Sequence, residues 1–283
     1  MFFSTLDEIP ARVIHHHFEY DRQNIAGVNN IIAFSSGKDK VGKTTVAVNL
    51  AVMLAQTGLK IGLLDAETNS DRASKILGIK TQNISGSKDF FQPVNNFGVK
   101  IVAIGSLINE DPLEDWCDEW CDYWLNREIK RIMEQVEWGD LDYLIVNLPP
   151  GLGEIQIALI QALPLNGVVM VATGEKDAHP EIYQTLKMFE QLKVPILGLV
   201  ENKCNLISAD LSKRKYEIRD SEPSDRKIRV PFLGYVPLEP AVSQYKDRGL
   251  PVVLAEPSSM FTSTLQIIIW AISSQITISA IKS

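Results

Sequence analysis

The sequence predicts an α/β fold, a mostly parallel sheet with helices on both faces. Three observations predict it. From Asn30 onward, short apolar runs alternate with segments of helical period. The apolar runs are continuous in Val, Ile and Leu, as in strands buried on both faces by helices. Polar and glycine-bearing stretches fall at the ends of those runs, where ligands bind in parallel sheets.

Residues 1–28 have no clear period and read as an N-terminal arm. His15, His16 and His17 are adjacent, so they cannot all face one metal at strand or helix spacing. A solvated arm is expected there, with the folded domain over 29–283. "NIIAFSS" reads as a buried strand and "KTTVAVNLAVMLAQTG" as a helix ended by Gly58. "KIGLLDAE" is a strand, "DRASKILGI" a short helix and "VKIVAIGSL" a strand, while "NREIKRIMEQVEWG" has helical spacing. "DYLIVNLPPG" is a strand ending in a Pro-Gly turn. "NGVVMVATG", "VPILGLVENK" and "RVPFLGYVPLEP" are three more strands, the first two separated by the helix "HPEIYQTLKMFEQLK". Residues 205–227 are polar and loop-like, and "SMFTSTLQIIIWAISSQITISAI" is a closing helix.

Composition excludes several classes. A net charge of -7 argues against nucleic-acid binding, which favours a basic face. The one basic stretch, "KCNLISADLSKRKYEIR", reads as a solvated loop. Cys117, Cys121 and Cys204 do not make a disulfide framework. The segment "MFFSTLDEIPARVIHHH" lacks the basic start and apolar core of a signal peptide. No run reaches about 18 uninterrupted apolar residues, so no membrane span and a cytoplasmic location are expected.

The chemistry concentrates in "SSGKDKVGKTTVAV", where Gly37 to Thr44 spell G-x-x-x-x-G-K-T between a strand and a helix. Backbone N–H groups and the helix N-terminus give such a loop a positive field for phosphates. Lys43 would reach the β- and γ-phosphates, and the Thr44 hydroxyl would ligate Mg²⁺. Asp39 and Lys40 stand where such loops usually hold small residues.

"SGKDKVGKTT" resembles "SGKGGVGKTT", the deviant phosphate loop of the MinD/ParA/Mrp class of dimeric ATPases. Further blocks are similar to the Mrp/Nbp-type subfamily: "WGDLDYLIVNLPPGLGEIQIAL", "MFEQLKVPILGLVEN" and "VPFLGYVPLEPAV". The resemblance runs from about Ile25 to the C-terminus and is weak between Thr81 and Asn126. It implies one P-loop NTPase domain of MinD-like fold. It implies a cradle for ATP or ADP with Mg²⁺ from Gly37, Lys38, Asp39, Lys40, Val41, Gly42, Lys43, Thr44 and Thr45. Lys38 matches the signature lysine that contacts phosphates across a homodimer. Asn202 matches the residue that reads the adenine edge, and the backbone near Val236–Leu238, including Pro237, would line the other side of the base. The implied catalytic residues are Lys38, Lys43 and Glu67, and the implied metal positions are Thr44 and Asn147.

The chain departs from that pattern at the chemistry. Asp39-Lys40 replace Gly-Gly, and a side chain there strains the loop if either position needs φ > 0. Asp65-Ala66-Glu67 replace D-A-D, so the acid that positions water is one methylene longer. A shift of about 1 Å at a catalytic group can cost on the order of 100-fold in rate. Asn147 replaces the Asp that holds Mg²⁺ through water; it is neutral but still accepts a hydrogen bond. Leu152 and Glu154 replace the Thr and Asp of "GTGD".

Mrp/Nbp-type proteins carry a C-x-x-C pair after the "EN" that bridges a [4Fe–4S] cluster between subunits. Here that stretch, "ENKCNLISADLS", holds only Cys204, and the chain has no C-x-x-C. This argues against an iron–sulfur cluster. Cys117 and Cys121 are four apart and would share a face on a helix, and Trp116, Trp120 and Trp124 repeat at the same spacing, inside an acidic, divergent segment at about 108–126. An amphipathic helix burying its tryptophans is the plainer reading. An aromatic docking surface over 110–126 for a protein partner is the sharper one. The closing helix lacks the basic face of a membrane-targeting tail. The resemblance thus implies a slow dimeric ATPase whose nucleotide state regulates a partner or an assembly process. A catalytically impaired pseudo-ATPase serving as an interaction module is the alternative; a cluster carrier or a ParA-like positioning protein ranks below both.

Overall fold

The computed structural model describes residues 24–67, 71–79, 86–87, 90–105, 129, 134–174, 179–204, 215–219 and 227–282. In chain order the strands are β1 (Ile31–Ser35), β2 (Ile61–Asp65), β3 (Gly86–Ser87), β4 (Phe90–Phe91), β5 (Val94–Asn96), β6 (Val99–Ala103), β7 (Tyr143–Asn147), β8 (Gly167–Thr173), β9 (Ile196–Cys204), β10 (Lys215–Arg219) and β11 (Lys227–Pro237). The helices are α1 (Lys43–Gln56), α2 (Arg72–Ile76), α3 (Glu154–Ala162), α4 (His179–Gln191), α5 (Pro240–Asp247), α6 (Val252–Ala255) and α7 (Met260–Lys282).

Nine strands form one sheet in the order β10-β11-β9-β8-β1-β7-β2-β6-β5. All neighbours are parallel except the two edge pairs, β10 with β11 and β5 with β6. The central strands are fully buried Val, Ile and Leu runs, as their composition predicts. Each such side chain removed from water contributes roughly 1.5–3 kcal/mol. One apolar cluster joins Trp138, Leu159, Leu186 and Phe189 on the α3/α4 face. The other joins Val48, Leu63, Leu233, Phe261 and Leu265 on the α1/α7 face. β1 lies between β8 and β7, so the chain leaves in opposite directions on its two sides. The loop after β1 therefore opens at the switch point where such sheets bind ligands.

Several expectations need correcting. Residues 215–219, expected in a polar loop, form β10. "KYEIR" alternates polar and apolar, which suits an antiparallel edge strand and hides it in composition. β5 pairs with β6 through a two-residue turn, Phe97 (φ 50) and Gly98 (φ 82), both in the left-handed φ region, as in a type I′ turn whose twist matches that of the strands. Ile25 is buried and Val28 bridges Leu141, so the packed fold begins inside the expected 1–28 arm. The rest of that arm, half of the helix expected over 126–139 and all of 108–126 lie outside the described residues; of the described half, residues 135–139 are not helical, and Val136 instead bridges Phe91 of β4.

The closing helix differs from expectation in one respect. Among the described residues, α7 is the one helix whose length and composition over Met260–Ser279 would suffice to cross a membrane. Ser and Thr interrupt its apolar run, so counting uninterrupted residues misses it. Phe261, Leu265, Ile268 and Ile272 face inward at helical spacing and pack on β9, β11 and α1. Ile267, Trp270, Ile278 and Ile281 are exposed on the outer side.

Candidate functional site: a phosphate loop held by its own acids

The loop from Ser36 to Gly42 joins β1 to α1 with no side-chain cap on the helix. Its N-terminal N–H groups are thus left for an anion. Gly37 is required by close approach: a Cβ there would lie 2.8 Å from the backbone of Glu181 and Ile182 at the start of α4. Of the two residues that replace glycines, Lys40 carries the strain, with φ 62, and Asp39 does not. A left-handed non-glycine residue costs roughly 1–2 kcal/mol. Local contacts offset it: the Lys40 N–H donates to Asp39 Oδ1 at 2.7 Å, and Lys203 Nζ donates to the Lys40 carbonyl at 2.6 Å.

Behind the loop, the implied phosphate lysine is already engaged. Lys43 is 3% exposed and Glu67 7%. Lys43 Nζ donates to Glu67 Oε1 at 2.6 Å and to Asn147 Oδ1 at 2.9 Å. The Thr44 hydroxyl donates to the same Glu67 Oε1 at 3.1 Å. The lysine and hydroxyl that would meet a nucleotide therefore converge on one carboxylate oxygen, which occupies the place of an anion. Asn147 fastens the floor: its amide nitrogen donates to Asp65 Oδ1 at 2.8 Å and to Thr44 Oγ1 at 3.2 Å. The parallel register sets Asp65 opposite Asn147. Burial pulls the Lys43 ammonium below its ordinary value, more than the Glu67 carboxylate raises it. Burial also pushes the Asp65 carboxyl up to about 6, against the pull of the Asn147 amide. Asp65 Oδ2 is buried with no hydrogen-bond partner among the described residues.

A cavity of about 330 Å³ opens over this network. Its wall takes in the loop from Asp39 to Thr45, then Glu67 and Arg72, and on the far side Asn202, Lys203 and Pro237–Glu239. Gly37, Lys38, Val236 and Asn147 are not in that wall. The Val236 side chain is buried in the core beneath it, while the neighbouring Pro237 and Leu238 lie in the wall. Asn202 is in the wall, and its amide donates to the Val41 carbonyl at 2.8 Å, clamping the loop. Lys38 points elsewhere: its Nζ lies 3.5 Å from Glu181 Oε1 on α4 of the same chain.

Asp39 bonds Arg72 Nη1 at 3.1 Å, and the same Nη1 lies 3.9 Å from Glu67 Oε2. Burial raises the Asp39 carboxyl, but the Lys40 N–H and the Arg72 guanidinium outweigh it and hold the acid below its ordinary value. Sequence reasoning missed three site residues: Asp65, Arg72 and Lys203. Asp65 was visible as the acid closing a strand beside Asn147. Arg72 and Lys203 carry no motif and are found only by folding the chain.

Among the described residues the cysteine is Cys204, a free thiol. Cys204 is buried at the end of β9, its Sγ 3.2 Å from the Glu201 carbonyl and 3.4 Å from Glu201 Oε1. Burial, then the Glu201 carboxylate, push its thiol up to about 12. No group of three or more His, Cys, Asp or Glu poised for a metal occurs among the described residues. Cys117, Cys121 and the tryptophans around them lie outside those residues, as does the side chain of Glu154. Leu152 packs against the core.

Comparison with known proteins places the chain in a family. The family model ParA, described as NUBPL iron-transfer P-loop NTPase, matches residues 27–273. An iron-sulfur cluster carrier protein of Synechocystis is 41% identical over 92% of this chain and 75% of its own length. One from Aquifex aeolicus is 34% identical over 85% of this chain, which spans 66% of that relative. Among solved structures, a nucleotide-binding protein from Archaeoglobus fulgidus in complex with ADP is 25% identical at TM-score 0.60, covering 83% of this chain and 93% of its own. The septum site-determining protein MinD of Pyrococcus horikoshii, complexed with Mg-ADP, shares the fold at TM-score 0.62 with 21% identity, over 88% and 98% of the two chains. The chain belongs to the ParA/NUBPL family of P-loop NTPases, with Mrp-type proteins as its sequence relatives and MinD as its structural neighbour.

Proposed function

We propose that this protein binds Mg-ATP and Mg-ADP and works as a slow, homodimeric ATPase whose nucleotide state controls a partner in iron–sulfur cluster handling. The observation that carries the reading is the convergence of Lys43 and Thr44 on one anionic oxygen beneath the loop. A phosphate oxygen offers those two donors the same charge in the same place. In this reading Lys43 exchanges Glu67 for the phosphates, and Glu67, once released, orients the attacking water. Lys38 leaves Glu181 and reaches the phosphates of the partner subunit.

Magnesium fits the donor set. Thr44, Asp65 and Asn147 offer hard oxygen atoms, and Asp65 Oδ2 is a buried oxygen in want of a partner. Thr44 would hold the ion, with Asp65 supplying the charge that Asn147 lacks. When bound, the ion supplies positive charge to the β- and γ-phosphate oxygens. The relatives named as cluster carriers support a role in iron–sulfur chemistry. The buried Cys204 thiol and the missing C-x-x-C support a role beside the cluster rather than as its holder.

A second reading, a pseudo-ATPase acting as an interaction module, is favoured by Asn147 and by the elongated Glu67. The test is Mg-ATP binding and turnover by the purified protein, with Lys43→Ala and Asn147→Asp alongside. Binding with slow turnover, both lost in Lys43→Ala, is expected. Binding without turnover, with turnover gained in Asn147→Asp, establishes the pseudo-ATPase instead. Absence of nucleotide binding overturns both. Iron and sulfide assays after anaerobic reconstitution are expected to find no stoichiometric cluster.

A further inference from the structure

The two acids that this chain places at its phosphate loop meet one cation. Asp39 lies on the loop between β1 and α1, and Glu67 follows β2. Both carboxylates approach the same nitrogen of Arg72, Nη1, at the start of α2, at 3.1 and 3.9 Å. Arg72 also lines the cavity beside them. A carboxylate on a phosphate loop repels the ligand through a medium that screens it only in part. Glu67 also competes for Lys43 and must go elsewhere when a phosphate arrives.

We propose that Arg72 is a positioning residue of the phosphate site, holding Asp39 away from the phosphates and receiving Glu67 when a nucleotide takes Lys43. It acts through the two acids. The inference rests on the nucleotide-binding reading and adds a residue to it. Arg72 is 40% exposed and Asp39 52%, so the pair is partly screened and its effect is moderate. Lysine would keep the charge at this position but carries it on a compact ammonium of different reach rather than on the planar guanidinium.

The test is the dissociation constant of a fluorescent ADP analogue with Mg²⁺, measured for wild type, Arg72→Ala, Arg72→Lys, Asp39→Asn and the Arg72→Ala/Asp39→Asn double variant. Circular dichroism confirms that each is folded. Arg72→Ala is expected to weaken binding about fivefold, the upper end for a half-exposed pair. Arg72→Lys is expected to recover part of that. Asp39→Asn in the Arg72→Ala background is expected to return affinity to within about twofold of wild type, which a merely structural role for Arg72 would not produce. Wild-type binding by Arg72→Ala, or a loss that Asp39→Asn leaves unchanged, overturns this inference while the nucleotide reading stands. No binding by wild type removes both.

Discussion

Glu67→Gln separates the resting state of this site from its occupied one. In the structure, Glu67 Oε1 lies 2.6 Å from Lys43 Nζ, and both side chains are almost wholly buried. Removing one partner of a buried ion pair commonly costs 3–5 kcal/mol. Here Asn147 Oδ1 still accepts from Lys43 at 2.9 Å and the Gln oxygen can do the same, so about 2 kcal/mol is expected. In a chain of this size that lowers the Tm of the nucleotide-free protein by roughly 4–8 °C. Nucleotide affinity moves the other way. A hydrogen bond to a charged group contributes about 1.5–3 kcal/mol, and Glu67 holds two donors, Lys43 and Thr44, that a phosphate needs. Weakening that competitor by about 1.4 kcal/mol tightens Mg-ADP binding about tenfold. Differential scanning fluorimetry and titration calorimetry read the two effects on one sample. A Glu67→Gln protein with unchanged apo Tm and unchanged or weaker ADP binding would refute the view that Glu67 stands in for the phosphate.

Further outcomes follow from other contacts. Asn147→Asp replaces an amide that donates to Asp65 at 2.8 Å with a second carboxylate, so the nucleotide-free Tm should fall, and Mg²⁺ should recover more stability than in wild type. Lys38→Ala should bind nucleotide within about threefold of wild type, since Lys38 is absent from the cavity wall, yet lose nucleotide-dependent dimerisation in light scattering. Gly37→Ala drives a Cβ to 2.8 Å from the Glu181 backbone, so a thermal melt should show a loss of about 1–3 kcal/mol and binding should weaken. Cys204 should react with a disulfide reagent more slowly folded than unfolded, because burial pushes its thiol from 9.0 up to about 12, once Cys117 and Cys121 are changed to Ser. The raised thiol contributes stability that is full below pH 9 and lost as pH rises toward 12, because only the unfolded chain ionises in that window.

The central sheet was legible because β1, β2, β7, β8 and β9 are runs of Val, Ile and Leu that fit only a doubly covered parallel sheet. The loop was legible because its spacing is fixed by the phosphates that such loops grip. What escaped was set by other physics. β10 and β5 are polar edge strands whose identity comes from their neighbours rather than their composition. The sequence marked Asp39, Glu67 and Asn147 as departures but could not show that they share partners: Arg72 with the first two, Lys43 with the last two. The position of Val236–Leu238 was legible from the strand, but not that β11 turns the Val236 side chain inward while Pro237 and Leu238 face the space. Cluster carriage ranked low on the cysteine pattern, while the relatives of highest identity shown above bear that name. This chain itself carries no C-x-x-C.

The most direct test of the account is a crystal structure of the protein with saturating Mg-ADP. The account predicts Lys43 on the β-phosphate, the 2.6 Å contact to Glu67 broken, and Glu67 turned toward Arg72. A Lys43–Glu67 pair still intact beneath an empty loop, or a nucleotide bound elsewhere on the chain, would contradict it.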